Sequence, residues 1–388
     1  MDILTLNAIS PVVDKVFAGK YTLTKEAKEP VAIILRSFNM HGYELPESVL
    51  CVGRAGAGVN NIPIDAYAEK GVVVFNTPGA NANAVKELVI LALLLCGRKA
   101  VDGINWAGTL SGKGAEVEKL VEAGKGKFVG GELFGKKLGV VGLGAIGALT
   151  ANTAVNLGMQ VLGYDPFISV KAAWSLNHHV KQCDDLNTIF DECDFITLHT
   201  PLTPGTKKMI NADTIAQMKD GVNIVNCSRG DLVDNPALLE NIKSGKINRY
   251  VTDFPTEALL GVENVVAIPH LGASTPEAED NCAFMAAKEI KDFIENGNIA
   301  NSVNFPACSL ARGGVQRLTI IHLNVKNVLN SITDIVAKEG VNIDGFVSQS
   351  DGKKYAYAIL NLDTPIDEEI VGKIRKLDNV VKVRVIGQ

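Results

Sequence analysis

Over the first hundred residues, short aliphatic runs such as "VAIIL" (31–35), "LCVGRAG" (50–56) and "VVVFNTP" (72–78) alternate with stretches of helical period, the last being Lys86 to Cys96. Unbroken apolar runs between helical stretches mark strands buried on both faces of a parallel sheet. A polar, glycine-rich excursion follows, from Gly97 to Leu133. A second rhythm then begins at "KKLGVVGLG" and continues through "QVLGYD", "DFITLHT", "GVNIVNC", "RYVTDF" and "VVAIPH", six β-rich runs with room for helices between most of them. Thr275 to Glu295 carries Ala283, Ala287, Ile290 and Ile294 at helical spacing and is expected to return to the first layer. Asn301 to Gln316 reads as a linker around Pro306, Gly313 and Gly314. From Arg317 onward the order is β-α-β-β-α-β, a ferredoxin-like unit. The pattern predicts an α/β chain with two Rossmann-like, doubly wound parallel sheets and a small C-terminal domain. The expected boundaries are 1–97 with 274–303 for a substrate-binding domain, 98–273 for a dinucleotide-binding domain, and 317–388 for the last.

Composition adds exclusions. The 388 residues are 47% hydrophobic, enough for two or three domains, and carry 38 basic against 43 acidic side chains, a net charge of -5. No overall basic field draws such a chain to nucleic acid or anionic lipid, so neither is expected as a partner. The longest apolar run, Leu88 to Cys96, is under half of the roughly 20 residues a bilayer helix needs. The start "MDILTLNAIS" lacks the layout of a signal peptide, and a cytoplasmic location is expected. Seven cysteines without a C-x-x-C pair read as reduced thiols, and the adjacent His178 and His179 lack companion ligands, so no metal is expected.

Candidate chemistry starts at "GVVGLGAIG". Gly142, Gly144 and Gly147 have the G-x-G-x-x-G spacing after an apolar strand and before a helix opening with Ala145 and Ile146. The first glycine permits the tight turn, the second admits a pyrophosphate to the backbone, and the third lets helix and strand approach. The next strand ends in "GYDP", which puts Asp165 where an acid accepts from the adenosine ribose and repels a 2'-phosphate. The expected cofactor is therefore NAD rather than NADP.

Three later strands end in "NCSRG", "DFPTE" and "IPHLGAST", supplying Arg229, Glu257 and His270. An arginine at a strand tip ordinarily serves a surface ion pair. A cation, a base and a carboxylate at strand ends of a doubly wound sheet, however, suit hydride transfer to or from a 2-hydroxy acid. With "GRAGAGVNNI", "NTPGAN", "GLGAIG", "GYDP" and "HTPL" in the same order, the chain resembles the D-isomer-specific 2-hydroxyacid dehydrogenases over nearly its whole length. The resemblance implies that Arg229 binds the substrate carboxylate and carbonyl, His270 is the general acid/base, and Glu257 hydrogen-bonds its imidazole. It also places Thr77, Ala145, Ile146, Thr200, Cys227, Ser228, Asp253, Gly272 and Ala273, beside Arg229 and His270, against NAD.

Within that family the likeness is to the branch that oxidises 3-phospho-D-glycerate, the first step of L-serine biosynthesis. It implies a phosphorylated 2-hydroxy acid as substrate, with Arg54, Ala55 and Gly56 at its phosphate and Lys125 and Lys127 as further basic residues. Glyoxylate or hydroxypyruvate reduction is the alternative within the family, and an NAD-sensing corepressor the alternative outside catalysis. The last seventy residues resemble an ACT domain, which implies a regulatory role and a homodimer or homotetramer. His322, Asn324 and Asn342 match positions that contact an L-serine effector, while Val325, Lys326 and Asn327 replace the Arg-Pro-Gly of that loop.

Overall fold

A computed structural model describes residues 1–387, in two compact units: Met1–Asn81 with the chain from Glu279 onward, and Ala82–Ala278. The first unit opens with β1 (Asp2–Leu6), β2 (Thr22–Thr24), β3 (Ala32–Leu35), β4 (Cys51–Arg54) and β5 (Val73–Phe75), all parallel in the order β2-β1-β3-β4-β5. Every residue of β3 and β5 is buried, as their unbroken apolar runs require.

The second unit holds β6 (Lys137–Val141), β7 (Gln160–Tyr164), β8 (Lys181–Gln182), β9 (Phe195–Leu198), β10 (Val222–Asn226), β11 (Ile247–Thr252) and β12 (Val265–Ala267). All pairs are parallel, in the order β12-β11-β10-β9-β6-β7-β8. The doubly wound sheet is as expected, with β8 as a seventh, two-residue edge strand too short and polar to leave an apolar run. Strand order reverses between β6 and β9, which opens a crevice at their carboxyl ends.

The helix Ala82–Gly97, counted with the first layer by its sequence rhythm, lies in the second unit. Its Val85, Val89, Leu93 and Cys96 share a core with Val140 of β6, Val225 of β10 and Val251 of β11. Periodicity marks an apolar helix without saying which sheet it covers. Among the described residues no helix is long and apolar enough to cross a membrane, and all seven cysteines are buried and unpaired.

The long helix Pro276–Asn296 ends in the first unit, followed by β13 (Gln316–Leu323), β14 (Ile343–Ser350), β15 (Tyr355–Leu362) and β16 (Val380–Ile386). These form an antiparallel sheet in the order β14-β15-β13-β16, with the helices Val328–Lys338 and Glu368–Arg375 on one face. On the other face Ile321, Tyr357 and Ile359 join the core of the first unit, against Ala286, Ile290 and Phe293 of the long helix. Arg317, with no exposed surface, donates to the carbonyls of Asn296 (2.7 Å), Leu310 (3.0 Å) and Ala311 (2.6 Å) and to Asn361 Oδ1 (2.8 Å). Arg384 donates to Phe293 O (3.1 Å) and Ile294 O (3.0 Å), and the Tyr357 hydroxyl to Gly297 O (2.6 Å). Two cations thus cap the carbonyls and the negative dipole end of the long helix. The predicted linker is packed as well: at Gly314 (φ +67°) a Cβ would lie 2.3 Å from Leu362 O.

Glu289, on the same helix, is 8% exposed; one carboxylate oxygen accepts from Asn301 Nδ2 (2.5 Å) and the other has no partner. Burial pushes its pKa from 4.5 up to about 7, the Asn301 bond only partly opposing. A pKa raised by folding gives stability that is complete below the unfolded value and is lost as pH rises through 7. Glu289→Gln should therefore raise stability at pH 8 by up to about 3 kcal/mol and leave it little changed at pH 4.5. Denaturant melts of both proteins at the two pH values test this; parallel pH profiles would remove the role given to the carboxylate.

Candidate active site

At the end of β6 the chain turns on Gly142 (φ +93°), where a Cβ would stand 2.7 Å from His199 O. A Cβ on Gly147 would stand 1.9 Å from Gly142 O, whereas one on Gly144 would meet nothing within 4 Å. The first and third glycines are therefore demanded by the fold itself. The second leaves a cradle open at the start of the helix Ala145–Asn156, whose N-terminus no side chain caps. Asp165, one residue past β7, accepts from the Leu143 N–H (2.8 Å) and the Phe167 N–H (2.9 Å), fixing its carboxylate beside the glycine turn.

Past β9, His199 Nε2 lies 3.0 Å from Thr197 Oγ1, and burial pushes its pKa down to about 4, so the ring is neutral. The carbonyl of Thr200 accepts from Ser228 Oγ (2.8 Å), tying this loop to the one past β10. There the fully buried Asn226 holds the turn: its amide donates to Arg229 O (2.9 Å) and its Oδ1 accepts from the Ser228 N–H (3.2 Å). Cys227 is buried and its thiol pKa raised by burial. Arg229 is exposed and donates to Ser228 O (2.7 Å); among the described residues it has no ion-pair partner, so the surface-salt-bridge reading of this strand tip does not apply.

Asp253, one residue past β11, is 1% exposed with Oδ1 unpartnered. Burial raises its pKa, opposed by His270, by the Gly272 N–H and by Arg229. His270, past β12, is exposed and packs on the Phe254 ring at 4.7 Å. The expected hydrogen bond from Glu257 is not formed. Pro255 and Thr256 lead the chain outward, and the exposed Glu257 opens a single 3-10 turn, Glu257–Leu259, anchored by the buried Leu259. The carboxylate whose field reaches His270 is that of Asp253. Gly272 is buried, and a Cβ on it would stand 3.3 Å from Asp253 Oδ2; Ala273 follows, half-buried.

The first unit holds the remaining expected residues. Thr77, fully buried past β5, donates its N–H to Gly56 O (3.1 Å) and lies in a different unit from the other residues expected at the cofactor. Arg54 ends β4 half-buried, its Nε donating to Asn61 Oδ1 (3.0 Å), with no carboxylate partner among the described residues. Its guanidinium lies over Gly56, where a Cβ would stand 2.5 Å from Nη1; Ala55 is buried beside it. Arg36, which sequence reading missed, follows the neighbouring strand β3 and pairs with Glu279. The signal was present in "ILRS", a buried strand ending in arginine just as "NCSRG" does. Lys125 and Lys127 belong to the second unit, in an exposed turn where Glu122 pairs with Lys125, so they do not join Arg54 in one unit.

In the C-terminal sheet His322 is 3% exposed, its Nδ1 on Leu323 O (2.8 Å) and its Nε2 unpartnered. Asn324 donates to Lys353 O (3.2 Å). Asn342 is not brought to them. His322 pairs with Ala356 at one end of β15, whereas Asn342 meets Asp363 beyond the other, roughly 23 Å away at strand rise. Asn327 takes a left-handed φ of +70°, a conformation asparagine adopts more readily than most non-glycine residues.

Residues 109–272 match the D-isomer specific 2-hydroxyacid dehydrogenase, NAD binding domain. The chain is 38% identical over 296 residues to D-3-phosphoglycerate dehydrogenase of Methanocaldococcus jannaschii, covering 74% of this chain and 54% of that one. It is 33% identical over 378 residues to the enzyme of the same name from Haemophilus influenzae, covering 93% and 88%. It thus spans about half the length of the first curated relatives it matches and most of the second enzyme. The solved structure of NAD+-bound 3-phosphoglycerate dehydrogenase from Entamoeba histolytica superposes with a TM-score of 0.60 at 27% identity, over 78% of this chain and 98% of that one.

The open cradle at Gly144 and the orphaned Asp253 oxygen are what a bound dinucleotide would fill and satisfy. The second and third glycines should therefore separate in their effects. Gly144→Ala, at φ -67° and in open space, should keep the melting temperature within about 2 °C while weakening NADH binding at least tenfold. Gly147→Ala, which forces a Cβ onto Gly142 O, should lower stability by about 2 kcal/mol or more. Melting curves and NADH fluorescence titration of both variants measure the split, and equal behaviour would refute it.

Proposed function

This chain belongs to the D-isomer-specific 2-hydroxyacid dehydrogenases, and from that premise we propose that it oxidises 3-phospho-D-glycerate to 3-phosphohydroxypyruvate with NAD, the first step of L-serine synthesis. The observation that carries the substrate choice is Arg54, a half-buried guanidinium at a strand end with no acid to neutralise it and with Arg36 at the next strand end. A desolvated cation without an internal partner is a standing site for an anion. Arg229, likewise without an ion-pair partner among the described residues, is the residue assigned to the substrate carboxylate. The names of the relatives support the same reading.

NAD, when bound, accepts the hydride. The Gly144 cradle and the helix N-terminus would hold its pyrophosphate, Asp165 the adenosine ribose, and Asp253 a donor of the nicotinamide end. Arg229 holds the carboxylate and polarises the C2 oxygen, and His270 takes the hydroxyl proton as hydride leaves. Glu257 orients His270 in the loaded enzyme; exposed in the free chain, it is a contact that binding has to complete. Thr77 and Lys125 or Lys127 add to the cofactor and phosphate contacts. The chain works as a homo-oligomer, a reading supported by the helix Ala100–Gly108, which buries none of its residues. The C-terminal sheet acts as an ACT domain. Because His322 and Asn342 stand at opposite ends of one sheet, an L-serine effector held by both would bridge two copies.

Steady-state kinetics with NADH test the assignment. Wild-type protein should prefer 3-phosphohydroxypyruvate to hydroxypyruvate and glyoxylate. Arg54→Ala should lose about ten- to a hundredfold in kcat/KM on the phosphorylated substrate and little on the others. Unchanged kcat/KM in that variant would return the chain to the glyoxylate and hydroxypyruvate reductases. Arg229→Lys keeps the charge but not the bidentate fork, and should lose at least about a hundredfold on every substrate.

A further inference from the structure

An open cavity of about 390 Å³ lies in the first unit, between the helix Ile64–Glu69 and the β14–β15 hairpin. Its apolar floor is made by Ile64, Ala68, Val303 and the Tyr355 ring. Neutral hydrogen-bonding groups are scarce: the Asn304 amide is spent on Val72 O (2.9 Å) and the Val74 N–H (2.9 Å). The helix wall carries the acids Asp65 and Glu69, and the hairpin wall carries Lys353 and Lys354 with one acid, Asp351, 3.4 Å from the Lys353 ammonium. The ion pair spanning them, Lys354 to Glu69 at 3.4 Å, joins side chains that are 60% and 65% exposed, and such pairs contribute little. A ligand carrying its own two charges can therefore replace it.

We propose that this cavity binds a small zwitterion, with its ammonium at Glu69 and Asp65 and its carboxylate at Lys353 and Lys354, the charge separation of an α-amino acid. A dianion would face the helix acids and a dication the hairpin lysines, so neither fits both walls. The helix wall of the cavity also continues the segment that holds Arg54. Asn61, whose side chain holds Arg54, lies three residues before the helix, and Asn324 holds the hairpin through Lys353 O and Lys354 O. Closing the walls on a ligand thus acts on the segment that positions Arg54.

Binding to the purified full chain is measured by calorimetry with glycine and L-serine as zwitterions, succinate as dianion and putrescine as dication, so the outcome does not depend on the dehydrogenase reading. At least one zwitterion should bind and, near ten times its Kd, raise the melting temperature by about 2 °C, with no response to succinate or putrescine. Glu69→Gln and Lys354→Met, both at exposed positions, should each weaken binding about tenfold or more, and His322→Ala should not. No heat from either zwitterion up to ~50 mM would overturn the proposal. So would an equal response to succinate, or a response that survives Glu69→Gln and Lys354→Met but vanishes with His322→Ala.

Discussion

In the second unit the last residues of six parallel strands lie in one hydrogen-bonded row: Tyr164 with Val141, Val141 with Leu198, Leu198 with Asn226, Asn226 with Thr252, and Thr252 with Ala267. That register puts Asp165, Gly142, His199, Cys227, Asp253 and Ile268 one step beyond the sheet on a single edge. A slip of one residue in any strand would turn its side chains to the other face and move its functional residue along the strand. The buried aliphatic faces that hold the register are therefore what align the site, and the loop residues inherit their positions from the core. The first sheet repeats the device on a smaller scale, with Leu35 opposite Arg54, so that Arg36 and Arg54 leave neighbouring strand ends.

What could be read from the chain beforehand follows from how local each cause is. The glycine turn and Asp165 were legible because turn, helix start and acid are set by short-range geometry, and the structure adds only the distances behind each glycine. The β-α-β-β-α-β order of the last segment was legible for the same reason. The helix Ala82–Gly97 was misplaced because its partner sheet is chosen by long-range packing, which a period of 3.6 does not encode. Asn226 escaped notice because its work is done through hydrogen bonds to Ser228 and Arg229, inside a turn that was read for its charge alone. Glu257 was expected beside His270 from motif order, and motif order carries no information about how far a three-residue turn swings a side chain out.

The C-terminal segment has a similar lesson for regulation. Read as a module on a glycine linker, it is instead built into the first unit: Arg317 and Arg384 sit on the carbonyl end of the long helix, and Tyr357 enters the shared core. Arg317 is fully buried and Arg384 half-buried, neither in an ion pair among the described residues, and their compensation comes largely from peptide carbonyls at a helix terminus. That helix starts six residues after His270 and ends on these arginines. A conformational change in the C-terminal sheet therefore has a rigid element to act on, which a loosely tethered module would lack.

Under the proposed function, charge pairing separates the arginines that brace the fold from the two assigned to the substrate. Where an arginine serves the fold its charge is answered within the molecule: Arg249 by Asp102, Arg36 by Glu279, Arg317 and Arg384 by helix-end and loop carbonyls. Among the described residues Arg54 and Arg229, like the exposed Arg98, have no carboxylate partner; Arg54 donates to Asn61 and Arg229 to a neighbouring carbonyl. In a chain of net charge -5, acids are in excess, so leaving these two unpaired reflects placement. A carboxylate within reach of either would strengthen the empty protein and compete with an anionic substrate. Leaving the cation unanswered forgoes that stability and reserves the interaction energy for the ligand.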